Sequence, residues 1–159
     1  MIFFLQILIY LIFFTVTIKA LVLNDPVRGI FFYPKEIQRR VFEMKLTTRE
    51  EAKRRKVIFF TVLIIGIAVL PVIFIGLWSN ISDFKTAFIH AIIFLEVMNW
   101  YDGIVVDEIW VRFSKFWVIK GTENISHVKK LSFVLTERLI MSAVYIPTAA
   151  LLAKLAVMI

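Results

Sequence analysis

The chain has no cysteine, two histidines, five glycines and four prolines in 159 residues. Without cysteine there is no disulfide framework, no thiolate metal site and no cysteine nucleophile. The H-E-x-x-H zinc motif, the G-x-S-x-G nucleophile elbow and the Gly-rich nucleotide loops are all absent. No repeat of 20–50 residues is visible, and the hydrophobic segments are not inverted copies of one another. What the chain has in excess is apolar surface: 60% of its residues are hydrophobic, 16 are Phe, and mean hydropathy is +0.85. Soluble domains sit nearer about 45–50% apolar. So small a globule cannot hide that much apolar area from water, so lipid has to solvate part of it.

The hydrophobic runs predict an all-α integral membrane bundle of four transmembrane helices, with cytoplasmic amphipathic and interfacial helices, in one membrane domain over 1–159. The first span is 3–23, interrupted only by Gln6 and Lys19. A cleavable signal peptide fits it poorly: no basic residue follows Met1, and the run exceeds an h-region of about 7–15 residues. Asn24-Asp25-Pro26 then turns the chain. In the basic segment 24–56, Pro34 opens a short amphipathic helix with Ile37, Val41 and Met44 on one face. Thr48-x-x-Glu51 reads as a capping box, starting a helix that continues into the second span, 57–77, which carries no charge. Pro71 is placed to kink it, and Gly66 and Gly76 admit a close neighbour.

A tight turn leads to the third span at 86–106. The segment 107–130 interleaves Trp110, Phe113, Phe116 and Trp117 with Arg112, Lys115 and Lys120, which predicts an interfacial helix ended by Gly121. A helical lead-in from about Ser126 precedes the fourth span, 139–159. There Ser142, Ala149, Ala153 and Ala156 share a face suited to tight packing, and Pro147 is placed to bend the helix.

The net charge is +7, but the basic residues lie between hydrophobic runs, which favours an anionic membrane surface over nucleic acid. Segments 24–56 and 107–130 hold ten and five Lys/Arg, against one in the 79–86 turn. The positive-inside rule then makes both large loops cytoplasmic and both termini external, in a bacterial-type plasma membrane. Four helices rarely surround a pathway alone, so a homo-oligomer or a membrane-protein partner is expected.

Candidate chemistry concentrates in the third span. At 100° per residue Glu96, Asn99, Gly103 and Asp107 fall within about 80° of one another, with Asp102 flanking them. Glu96 lies roughly 15 Å inside Val106, near the middle of a hydrocarbon layer of about 30 Å. Ionisable groups at such depth are expensive and mark sites for protons, ions or polar ligands. Glu137 and Arg138 enter the fourth span at the depth of Asp102. The expected ligand- or ion-binding set is therefore Glu96, Asn99, Asp102, Asp107 and Arg138. Asp102, Asp107 and Glu108 are the candidates for a divalent cation. His90, about 9 Å from Glu96 along the axis, is too far to share a metal with it and reads as a packing residue. His127 belongs to the cytoplasmic loop and is a candidate to serve a cytoplasmic site with Asp102, Asp107 and Glu108. The sequence thus points to binding of a proton, cation or polar ligand in transport or ion coupling. Its alternatives are a lipid-modifying enzyme with a carboxylate and metal site at the cytoplasmic interface, and an accessory subunit of a membrane complex.

The absence of native cysteine makes the topology directly measurable. Single Lys53→Cys and Lys120→Cys variants should react with an impermeant maleimide only from the cytoplasmic side, and Lys85→Cys only from outside. Labelling of all three from one side would overturn the assignment.

Overall fold

The computed structural model describes residues 2–159, and among them the regular structure is entirely helical. Helix α1 is Ile2–Val22, α2 is Lys35–Glu43, α3 is Arg49–Val72, α4 is Phe84–Tyr101 and α5 is Leu131–Ala156. Two of them widen into π-helix at their ends, α3 over Ile73–Trp78 and α4 over Asp102–Val111. With these extensions, four helices of 21, 30, 28 and 26 residues are long and apolar enough to cross a membrane.

Local chemistry sets the helix starts. Thr48 accepts a hydrogen bond from the Glu51 backbone N–H (3.1 Å) and caps α3, so the charged turns Arg49–Lys56 and the apolar span form one continuous rod. The reciprocal half of the capping box is not made, because the Glu51 carboxylate receives the Thr47 hydroxyl and pairs with Arg55. Asp83 caps α4 by accepting from the Thr86 N–H and hydroxyl, both at 2.8 Å, and these bonds lower its pKa. Pro34 sits at the N-cap of α2, one residue outside the expected first helical position.

The helices interlock through small residues. A Cβ on Gly76 would lie 2.5 Å from the Ala156 carbonyl oxygen, so α3 and α5 meet almost backbone to backbone at that end. Ala149, Ala153 and Ala156 of the expected small-residue face are all buried. Gly66 receives the Phe13 ring of α1. Gln6, only 1% exposed, donates from Nε2 to the Phe74 carbonyl (3.1 Å) and the Ser79 hydroxyl (2.9 Å), stitching α1 to the π-helical end of α3. Tyr101 and Thr15 hydroxyls join α4 to α1 at 2.8 Å. The outer surface stays apolar, with Phe4 77% exposed and Leu8, Ile64, Ile140 and Ile146 all exposed, as a lipid-solvated bundle requires.

Three sequence expectations change. The third helix continues past 106 to Val111, and no interfacial helix covers 109–120; only Lys115–Trp117 forms a single 3-10 turn, capped by Ser114. The reason is that Trp117 turns inward, 3% exposed and edge-on to Trp110 and Phe116, while its carbonyl accepts the Tyr33 hydroxyl (2.9 Å). Burial, with the Asp25 charge adding to it, pushes the Tyr33 phenol above its ordinary range. That bond ties the 24–48 and 112–130 segments together at one end of the bundle, and Gly121, at φ +89°, packs close to Met44 there. The fourth long helix spans 131–156, starting five residues after Ser126 and ending three before 159.

Adding a methyl at the two helix-contact glycines separates backbone from side-chain crowding. Gly76→Ala meets a carbonyl oxygen that cannot rotate away and should destabilise the protein by about 1–3 kcal/mol. Gly66→Ala meets the far edge of a phenylalanine ring and should lose less. Unfolding midpoints in a mild detergent titrated with sodium dodecyl sulfate check the order.

Candidate functional site

Helices α4 and α5 pack more extensively than any other pair, and polar side chains occupy their seam. The Trp100 indole N–H (3.2 Å) and the Ser142 hydroxyl (2.7 Å) both donate to Glu96 Oε2. Asn99, 1% exposed, donates from Nδ2 to Ser142 Oγ (3.2 Å) and to the Arg138 carbonyl (3.0 Å). The Arg138 guanidinium then reaches back to α4, with Nη1 to Asp102 Oδ2 at 2.6 Å and Nη2 to Asp107 Oδ2 at 3.3 Å. Its aliphatic stem lies across Gly103, where a Cβ would stand 3.0 Å from Cγ and Cδ. Glu96, Asn99, Asp102, Asp107 and Arg138 are therefore joined in one chain of hydrogen bonds, with Ser142 as the link.

The aspartate pair depends on the π-helix. Five residues apart on an α-helix, Asp102 and Asp107 would point about 140° apart. In the π-helical stretch, backbone hydrogen bonds run from i to i+5, so residues five apart lie one above the other. One guanidinium can therefore serve both carboxylates, and the stripe drawn at 100° per residue does not hold beyond Tyr101.

Asp102 and Asp107 line a cleft of about 910 Å³, a volume within the usual range of ligand sites. Its walls are mostly apolar: Phe14 and Ile18 of α1, Phe59, Leu63 and Ile67 of α3, and Ile140, Met141 and Tyr145 of α5. Because α3 and α5 touch at Gly76 and Ala156, the space between them widens toward the opposite end. Its rim includes Ile64 and Ile140, which are exposed on the bundle surface, so the cleft opens sideways between these helices.

The polar end of the cleft carries four acids, Asp102, Asp107, Glu108 and Glu137, against two cations, Lys129 and Arg138. Lys129 is engaged by Glu137 at 2.7 Å. Arg138 occupies only Oδ2 of each aspartate, and Oδ1 of each bears no hydrogen bond among the described residues. The buried Asn99 Oδ1 and Arg138 Nε also lack a partner among the described residues.

Other expected residues lie elsewhere. Glu96 belongs to the seam but not to the cleft wall. Glu108 forms a bidentate pair with Arg112 (2.8 and 2.7 Å) rather than converging with the aspartates. Among the described residues no group of three or more His, Asp or Glu is arranged to hold a metal ion. His90 packs against Phe3 at the far end of α4, with ring centroids 4.4 Å apart and planes tilted by 51°. His127, by contrast, lines the cleft and hydrogen-bonds through Nε2 to the Val111 carbonyl (3.3 Å). Tyr145, Lys129 and Ser142 complete the surroundings. The small-residue face marks Ser142 in the sequence, and the loop position marks His127 for a cytoplasmic site, whereas nothing local marks Lys129 or Tyr145.

Arg138 is the hub, and its removal leaves two carboxylates uncompensated. Arg138→Met should destabilise the fold by about 3–5 kcal/mol. Removing all three charges together, in Asp102→Asn/Asp107→Asn/Arg138→Met, should recover most of that loss. Equal stability of wild type and Arg138→Met in detergent unfolding would sink the assignment of Arg138 as the structural hub. Compared with protein-family models, curated proteins and solved structures, the chain matches none.

Proposed function

We propose that this chain is a small polytopic membrane protein that takes a cationic, amphiphilic ligand from the bilayer into the cleft between α3 and α5, in transport or ion coupling. One observation carries the reading. Two aspartates share a single guanidinium, and each keeps an oxygen without a hydrogen bond among the described residues, on the wall of a mostly apolar cleft that opens sideways. A cationic head would complete the half-used carboxylates, and the tail would lie along Phe59, Leu63 and Ile67. An anionic head fits poorly, because both cleft cations are already paired with acids.

The hydrogen-bonded chain through Asn99 and Ser142 gives Glu96 a supporting part, holding α5 in register so that Arg138 stays over Gly103. The concentration of basic residues at one end supports placing the 24–56 and 107–130 segments in the cytoplasm of a bacterial-type plasma membrane. The ligand then enters from the inner leaflet. Apolar helix faces such as that of Ile58, Val62 and Ile65 are available to lipid or to a second copy.

The test is binding of a fluorescent long-chain alkylammonium to the protein in phosphatidylcholine nanodiscs, with an alkyl sulfate of equal chain length as the counterpart. The ammonium should bind saturably and the sulfate should not. Asp107→Asn should weaken the ammonium about tenfold, as expected for loss of one charge-assisted contact. Equal binding of the two probes, or an unchanged affinity in Asp107→Asn, would refute the proposal.

A further inference from the structure

A second groove lies outside the cleft, between the Pro26–Phe32 turn, α2 and the first two turns of α3, with a volume of about 470 Å³. Lys35 and Arg39 come from one face of α2, spaced four apart. Arg49, Lys53 and Lys56 come from one face of α3, spaced four and three apart. Five cations thus border the groove, and no acidic residue does. Among the described residues Lys35, Arg49, Lys53 and Lys56 make no ion pair, and the single partner of Arg39, Glu43, is 3.8 Å away with both side chains mostly exposed. Of the neighbouring acids Glu51 pairs with Arg55 and Glu43 also meets Arg40, while Glu36 and Glu50 stand outside the groove lining.

Like charges so gathered repel one another, and an anion seated among them would relieve that repulsion. The structure also fixes its setting. Arg49 lies over the Phe42 ring (5.8 Å) and Lys56 over the Phe60 ring (6.0 Å), so the heads are held at the edge of aromatic surface. Val57, next after Lys56, begins the uncharged run to Leu77. The groove therefore sits where a lipid headgroup would, with apolar surface immediately below for acyl chains. The positive end of the α3 helix dipole points the same way.

We infer that this groove is a binding site for a phosphate-bearing anionic headgroup, distinct from the acidic cleft. Phe31 borders both spaces, so an acyl chain held here runs beside the cleft entrance. The inference stands independently of the cationic ligand, since it uses other residues and the opposite charge.

The full-length protein in phosphatidylcholine nanodiscs containing a minority of phosphatidylglycerol tests it, with retained lipid read by native mass spectrometry. Wild type should hold phosphatidylglycerol in preference to phosphatidylcholine. Lys35→Gln/Lys53→Gln/Lys56→Gln should lower that retention roughly a hundredfold, since each basic residue near a membrane surface contributes appreciably and three are lost. Lys45→Gln/Arg54→Gln/Lys120→Gln removes the same charge outside the groove and should leave retention within a few-fold of wild type. Equal losses in the two triple variants, or no lipid preference in wild type, would overturn the site. Acetylation of wild-type lysines provides a second readout: phosphatidylglycerol should protect Lys35, Lys53 and Lys56 more than Lys45 and Lys120. Matching protection by inorganic phosphate in phosphatidylcholine nanodiscs would support the phosphate chemistry and identify a soluble source, whereas uniform protection of all five lysines would refute a defined groove.

Discussion

One guanidinium held between two aspartates governs the architecture of this bundle. Arg138 leaves α5, crosses α4 at a glycine, and meets carboxylates on successive turns of a widened helix. In a low-dielectric interior an unmatched charge is far more costly than an imperfectly matched one, so each member of the triad constrains the other two. The seam of Glu96, Asn99 and Ser142 extends the constraint toward the middle of the bundle. Helix α3, by contrast, meets α5 almost backbone to backbone near Gly76, takes the Phe13 ring of α1 at Gly66, and packs Phe59 on Phe31 and Phe32. The cleft follows from that arrangement: a hydrogen-bonded polar pair on one side, and on the other a helix that meets α5 backbone to backbone at its Gly76 end.

Much of this was legible in the sequence because two kinds of signal are strictly local. The uncharged stretch from Val57 to Leu77 can hardly be anything but a span, and Thr48 announces where its rod begins. The acids of the third span and Arg138 of the fourth come together as their depths suggest. A charge deep in an apolar helix has few solutions, and a cation at matching depth is among the best of them. Gly76 and the alanine face of α5 likewise read correctly, since a missing or minimal side chain is itself a statement about how near a neighbour stands.

What escaped the sequence has a common cause in tertiary structure. Nothing in Asp-Gly-Ile-Val-Val-Asp-Glu announces a π-helix, and the angular reckoning that grouped Glu96 with Asp107 assumes a uniform coil. Trp117 is a residue type suited equally to a headgroup layer and to a buried aromatic cluster, and the Tyr33 hydroxyl decides between them from 84 positions away. His127 and Lys129 reach the cleft only because an irregular loop folds back over the end of α4. Pattern alone cannot place a side chain carried by irregular backbone.

The widened end of α4 also changes where its charges stand. A π coil advances less per residue than an α coil, so ten residues of it, from Asp102 to Val111, make a shorter and fatter cylinder than their number implies. Glu108 and Arg112 are consequently drawn toward the waist of the protein, and the loop behind them follows. The charged end of α4 therefore stands nearer the apolar cleft than its residue count implies, without any break in the backbone ladder.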